Sequence, residues 1–121
     1  MKNVVAFMAF ALTIIVSPTV LAQDVLDVND ANIKLRFEND RVRVLERILK
    51  PGDREKMHSH PAYLIHVVSG GQLRNHNVDG KVIEFEVKAG DVLFRDPTTH
   101  WAENIGTTIV EVVVIELKCK E

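Results

Sequence analysis

The chain has 121 residues, with 15 basic and 17 acidic side chains and a formal net charge of −2. That length allows one domain, and acids and bases interleave without a basic stripe, which argues against nucleic acid as a partner. Its single cysteine, Cys119, rules out an internal disulfide, so the fold must rest on a compact apolar core.

The first stretch reads as a leader. Lys2 gives a short positive start, residues 4–16 are apolar apart from Thr13, and Pro18 breaks the run. Val20-Leu21-Ala22 then places short residues at the −3 and −1 positions of a cleavage site. The apolar run is shorter than the roughly 20 residues a helix needs to span a bilayer. The expectation is a signal peptide at residues 1–22, removed to leave one domain at residues 23–121. Such a product has no stable membrane insertion after cleavage and is periplasmic or secreted by a bacterium.

Residues 24–32 fit a short helical turn or an arm, and the pattern does not choose between them. From there on, runs rich in Val, Ile and Phe alternate with turn residues. Residues 33–37 and 42–48 read as strands, followed by a turn at Lys50-Pro51-Gly52-Asp53. Residues 63–68 form a strand closed by Gly70-Gly71. Residues 73–78 and 82–87 flank Asp79-Gly80, a strong two-residue hairpin signal. Ala89-Gly90-Asp91 is a turn before residues 92–94, and Asp96-Pro97-Thr98-Thr99 is a loop. Residues 101–105 and 108–117 complete the chain. About nine short strands with regularly spaced turns predict an all-β sandwich or barrel.

All five histidines, His58, His60, His66, His76 and His100, fall between the first turn and the penultimate strand. His58-Ser59-His60 is the sharpest local feature. On an extended strand both imidazoles point to one face, where they can share a metal ion through one nitrogen each. By itself the dipeptide spacing reads rather as a pair of exposed polar residues beside a loop.

The surroundings carry more. Gly52, five intervening residues, His58-x-His60 and a strand ending at Gly70-Gly71 resemble the first motif of the cupin superfamily. The run from Gly90 through Pro97, His100 and Asn104 resembles the second. The segment between them has room for the two strands of the Asp79-Gly80 hairpin, and the wider stretch from Arg36 to Lys118 is similar to small single-domain, quercetin dioxygenase-like cupins. The resemblance implies a double-stranded β-helix, the jelly-roll cupin barrel, with His58, His60 and His100 as metal ligands. It implies one divalent transition metal ion per chain (Fe, Zn, Ni, Cu or Mn), a small-molecule ligand, and a homodimer formed through outer strands including residues 109–115. Two positions depart from the family pattern. The family glutamate falls at Leu64 or Ile65, neither of which binds metal, and His100 follows Pro97 by three residues where the common pattern has five.

The inward register of the strand after His60 has two readings. If Leu64 faces inward, so does His66, as a fourth ligand, a pocket acid or base, or a core histidine with one partner. If the register shifts by one, Tyr63 and Ile65 face inward and Tyr63 brings a phenol to the pocket. Asn104 lies on the His100 face, where its amide either orients a ligand or bonds the backbone. His76 reads as a surface residue, and Trp101 faces away from His100. Arg36, Arg41, Arg43, Arg47, Arg74 and Arg95 bind an anion only if they point inward.

The expected function is therefore a metal-dependent oxygenase or isomerase acting on a small, anionic substrate. The alternative is a non-catalytic metal or small-ligand binding protein: a sensor, a carrier or a structural metal site.

Overall fold

The computed structural model describes residues 11–15, 23–29 and 31–119. Apart from residues 11–15, which have no regular secondary structure, the leader lies outside the described residues. Among the described residues no helix is long and apolar enough to cross a membrane.

Among the described residues one short helix, α1 (Val25–Val28), precedes nine strands: β1 (Ile33–Glu38), β2 (Val42–Leu49), β3 (His58–His60), β4 (Tyr63–Ser69), β5 (Gly71–Asn77), β6 (Val82–Val87), β7 (Val92–Arg95), β8 (Thr98–Asn104) and β9 (Val110–Leu117). They form a five-stranded sheet, in the order β1-β2-β9-β4-β7, and a four-stranded sheet, in the order β3-β8-β5-β6. All the strand pairings are antiparallel. The expected all-β barrel is therefore the architecture observed. Strand β8 starts at Thr98, so Thr98 and Thr99 belong to the ladder and not to the loop; Ser59 and Thr99 pair across it, with their hydroxyls 2.7 Å apart.

Alternation explains the core. Leu45, Leu49, Val67, Val110, Val112 and Val114 point between the sheets and are at most 3% exposed. Burying each such side chain contributes about 1.5–3 kcal/mol relative to leaving it in water. Val25 of α1 plugs the same cluster at 0% exposure. Geometry requires glycine at Gly80 and Gly70, among others. Gly80 sits at φ +89° in the β5–β6 turn, a conformation side chains resist. A Cβ on Gly70 would lie 2.2 Å from the Val87 carbonyl oxygen, so β4 can pass to β5 there only without a side chain.

Pairing also decides the β4 register. Tyr63 and Val67 are buried and Ile65 is half-buried, whereas His66 and Val68 are exposed. Strand β4 is held between β9 and β7, with Leu64 opposite both Ile115 and Phe94. The inward set is thus Tyr63, Ile65 and Val67, and the reading with Leu64 and His66 inward is corrected.

Candidate metal centre

Strands β3 and β8 run antiparallel with His58 directly opposite His100. Directly opposed residues on one face have Cβ atoms about 4.5–5.5 Å apart, and His60, two residues on, shares that face. The three rings meet: their centroids are 4.7 Å apart for His58–His60, 4.9 Å for His58–His100 and 5.4 Å for His60–His100. Each histidine offers one ring nitrogen within 4.8 Å of the other two. All three side chains are buried, at 1%, 6% and 6% exposure for His58, His60 and His100.

The outer nitrogens are all occupied. His58 Nδ1 lies 2.7 Å from the Lys56 carbonyl oxygen, which can only accept, so Nδ1 carries the proton. His60 Nδ1 donates to Glu116 Oε1 at 2.8 Å. His100 Nδ1 donates to Asn75 Oδ1 at 2.5 Å, and the Asn75 amide is oriented by its own bond to Asn77 Oδ1 at 2.8 Å. With Nδ1 protonated, Nε2 is left with a free lone pair, the form that binds a metal. The Nε2 atoms of His58 and His100 are buried with no hydrogen-bond partner. Buried polar atoms are normally satisfied, so two orphan acceptors beside a third imidazole fit a cation.

Burial also sets the charge state. Desolvation pushes His58 below the ordinary imidazole range, against the pull of Glu55. His100 is lowered to about 2, by desolvation first and then by His58, His60, Arg47 and Arg95 around it. Both rings are therefore neutral at physiological pH and need lose no proton to bind a metal.

A cavity of about 510 Å³ opens between the sheets, and His100 lines it. That size lies in the range of about 300–1,000 Å³ typical of small-molecule sites. Its walls are largely apolar, with Ile65, Leu73, Phe85 and Leu93, and its charged groups are Arg47, Arg95, Glu86 and Asp91, beside Tyr63, Asn75 and Thr98. Arg47 is 7% exposed and its Nε sits 3.0 Å from Glu55 Oε1, an ion pair that lacks hydrogen-bond alignment. Glu55 in turn accepts from the Ala102 amide at 2.9 Å. Tyr63 packs against His60 with ring centroids 4.6 Å apart. Desolvation raises the Tyr63 phenol above its usual range, so it stays protonated and can donate.

The other sequence candidates divide. His66 is exposed on the outer face and belongs neither to the three-histidine group nor to the cavity wall. A fourth-ligand or pocket role for it is therefore corrected, because β4 turns that parity away from the barrel interior. Asn104 is 2% exposed and spends its amide on the backbone: Nδ2 donates to the Leu49 and Thr108 carbonyls, and Oδ1 accepts from Gly106 N. It is a strap across the barrel end, not a ligand-facing group. His76 stacks on Trp101 at 3.7 Å and 3° and contacts Glu103 Oε1 at 3.1 Å, away from the cluster. Sequence reasoning missed Glu116, Asn75 and Asn29. Glu116 had a signal: it continues the inward parity of Val110, Val112 and Val114.

Fold and site define a double-stranded β-helix with a buried three-histidine group that can hold a metal ion. The family model "Cupin domain" matches residues 45–116, and the chain belongs to the cupin family. A cupin domain from Bordetella pertussis superposes with a TM-score of 0.66 at 25% identity, covering 72% of this chain and 92% of that one. A protein from Thermotoga maritima described as a predicted oxalate decarboxylase superposes with a TM-score of 0.51 at 26% identity, covering 70% and 78%. An RmlC-like cupin with a double-stranded β-helix fold from Methanocaldococcus jannaschii gives a TM-score of 0.60 at 15% identity, covering 71% and 78%, a likeness of fold alone. A comparison with curated protein sequences found no significant match.

Proposed function

We propose that this chain binds one divalent transition metal ion through His58, His60 and His100, and uses it to act on a small anionic molecule. The observation that carries the reading is the pair of buried, unpartnered Nε2 atoms of His58 and His100, set against three protonated and anchored Nδ1 atoms. Three imidazoles suit Fe, Zn, Ni or Cu. Bound there, a metal would supply Lewis-acid polarisation or oxygen activation with its charge uncompensated by any carboxylate ligand.

The protein's own groups would do the rest. Arg95 lines the cavity, and no ion pair or hydrogen bond holds its guanidinium among the described residues, which leaves it free to meet an anion. Protonated Tyr63 would donate to a developing oxyanion beside His60. The walls at Ile65, Leu73, Phe85 and Leu93 would exclude water and strengthen both contacts. The Thermotoga maritima relative's description, a predicted oxalate decarboxylase, agrees with a small carboxylate as the ligand class.

The second reading is a non-catalytic metal or ligand carrier. Against a purely structural metal stands the count of protein ligands: among the described residues the group holds three, and structural zinc is normally closed by a fourth. The discriminating experiment is elemental analysis of protein isolated from the periplasm, where we propose it works, followed by an oxygen-consumption screen over small carboxylates. Stoichiometric metal with turnover supports the enzyme, metal without turnover supports the metal carrier, and metal-free protein that refuses reconstitution removes both and leaves the carrier of a small ligand.

We also propose a homodimer through the outer face of the five-stranded sheet. Register places Phe37, Val44, Ile115, Leu64 and Phe94 in one apolar row across all five strands. Phe37 and Phe94 are 53% and 55% exposed in the single chain. Sedimentation is expected to give twice the chain mass, with Phe94→Asp shifting it to monomer; a wild-type monomer at micromolar concentration refutes the dimer.

A further inference from the structure

Two of the three histidines are linked by hydrogen bonds and ion pairs to a segment that lies before the cupin-matched residues 45–116. That segment is the arm at residues 23–29. It is docked by backbone pairing and by an apolar plug. Ser59 N donates to the Gln23 carbonyl at 2.8 Å, Asp24 bridges Ser59 in parallel, and Val25 is fully buried. The arm thereby covers β3, the edge strand of its sheet, which carries both His58 and His60.

From the arm, two chains of hydrogen bonds run to the imidazoles. In the first, Asn29 is 4% exposed and spends its whole amide on one peptide: Oδ1 accepts from Lys56 N at 2.7 Å, and Nδ2 donates to the Lys56 carbonyl at 3.1 Å. That same carbonyl accepts from His58 Nδ1. Asn29 Nδ2 also lies 3.0 Å from His58 Nδ1, two donors converging on one oxygen. In the second, Asp24 Oδ2 pairs with Arg43 Nη1 at 2.7 Å, and Arg43 holds Glu116 through Nε to Oε2 at 3.0 Å and Nη2 to Oε1 at 3.2 Å. Glu116 Oε1 accepts from His60 Nδ1. The third histidine is served from within the barrel, through Asn75 and Asn77.

We infer that the arm is a positioning element for the metal centre, with Asn29 setting His58 through the Lys56 peptide and Asp24 setting His60 through Arg43 and Glu116. This rests on the metal-binding reading above for its consequence, but its geometry concerns the protein alone. A segment used only to cover an edge strand would need backbone pairing and one apolar plug, which Gln23, Asp24 and Val25 already provide. The buried amide of Asn29 and the four-member ionic chain from Asp24 go further and end on ligand rings. By linkage, a metal that favours the oriented rings also favours the docked arm, and the docked arm favours the metal by the same factor.

The test uses the purified protein with Asn29→Ala, Asp24→Ala and, as a packing control at the far end of β9 from Glu116, Val110→Ala. Zn(II) affinity is measured by competition with a chelator. The histidine tautomers of the metal-free protein are read from ¹⁵N chemical shifts. Losing an outer hydrogen bond to a metal-bound histidine typically weakens binding by about 10–100-fold. Asn29→Ala and Asp24→Ala leave the Lys56 carbonyl and Glu116 in place but unanchored, so the low end of that range, about 10-fold, is expected, along with mixed tautomers at His58 and His60 respectively. Val110→Ala should lower Tm and leave zinc affinity unchanged. In the wild type, Zn(II) should slow hydrogen exchange at the Leu26 and Ser59 amides, a readout that survives if a variant fails to fold. Unchanged affinity and tautomers in both arm variants overturn the inference, as does an equal loss in Val110→Ala or exchange at those amides indifferent to zinc. A wild type that ignores zinc while Asn29→Ala still alters the His58 tautomer would refute the metal centre and keep the positioning role.

Discussion

Replacing His58 and His60 together by alanine is expected to abolish metal binding, lowering affinity at least about 1,000-fold, while the barrel stays folded. Structural zinc sites with four ligands bind with about 10–16 kcal/mol, so each ligand carries several kcal/mol and two lost ligands exceed the roughly 4 kcal/mol that a thousandfold represents. The fold survives because the hydrophobic cluster around Leu45, Leu49, Val67 and Val112 does not depend on the two rings. Truncation also removes the orphan Nε2 of His58, whose burial costs stability in the metal-free protein. Calorimetric titration with Zn(II), beside far-UV circular dichroism, measures both halves. Full metal occupancy in the double variant would falsify the site.

The second large effect is acid sensitivity of the metal-free protein. An unfolded histidine titrates near 6.5, whereas folded His100 is held at about 2 and His58 is also lowered. Below about pH 6.5 the unfolded chain therefore takes up protons that the folded protein refuses, and stability falls as pH drops. The contribution is fully present above that pH and is lost progressively down to the folded value. At pH 4.5 the His100 difference alone corresponds to about 2–3 kcal/mol, or roughly 10–20 °C in Tm for a domain of this size. His58 adds in the same direction. Thermal melts of the metal-free protein between pH 8 and 4 measure the slope, and His100→Gln should flatten it. A Tm that holds steady over that interval, or a His100→Gln variant with the wild-type slope, would show that the rings protonate freely in the folded state. That would contradict their burial away from water.

Much of this site was readable from neighbouring residues because strand geometry is local. His58-x-His60 fixes two imidazoles on one face wherever the strand lies, and Asp79-Gly80 announces the turn found there, with Gly80 at positive φ. The β4 register was not readable. Residues 63–68 are apolar except His66, so hydrophobic alternation, the only one-dimensional signal of inward parity, is missing. Glu116 was readable in principle and overlooked, since a carboxylate in phase with three buried valines needs a buried partner.

The amino-acid order by itself determined the strands, most turns, and which histidines share a strand face, since these follow from alternation over a few residues. Only the tertiary structure decided that His58 stands opposite His100, that His66 faces solvent, that Asn29 touches His58, and that Asp24 connects to His60 through Arg43 and Glu116. Those facts join residues tens of positions apart, and their geometry is set by strand pairing and by how the N-terminal arm docks, neither of which any short window of sequence encodes.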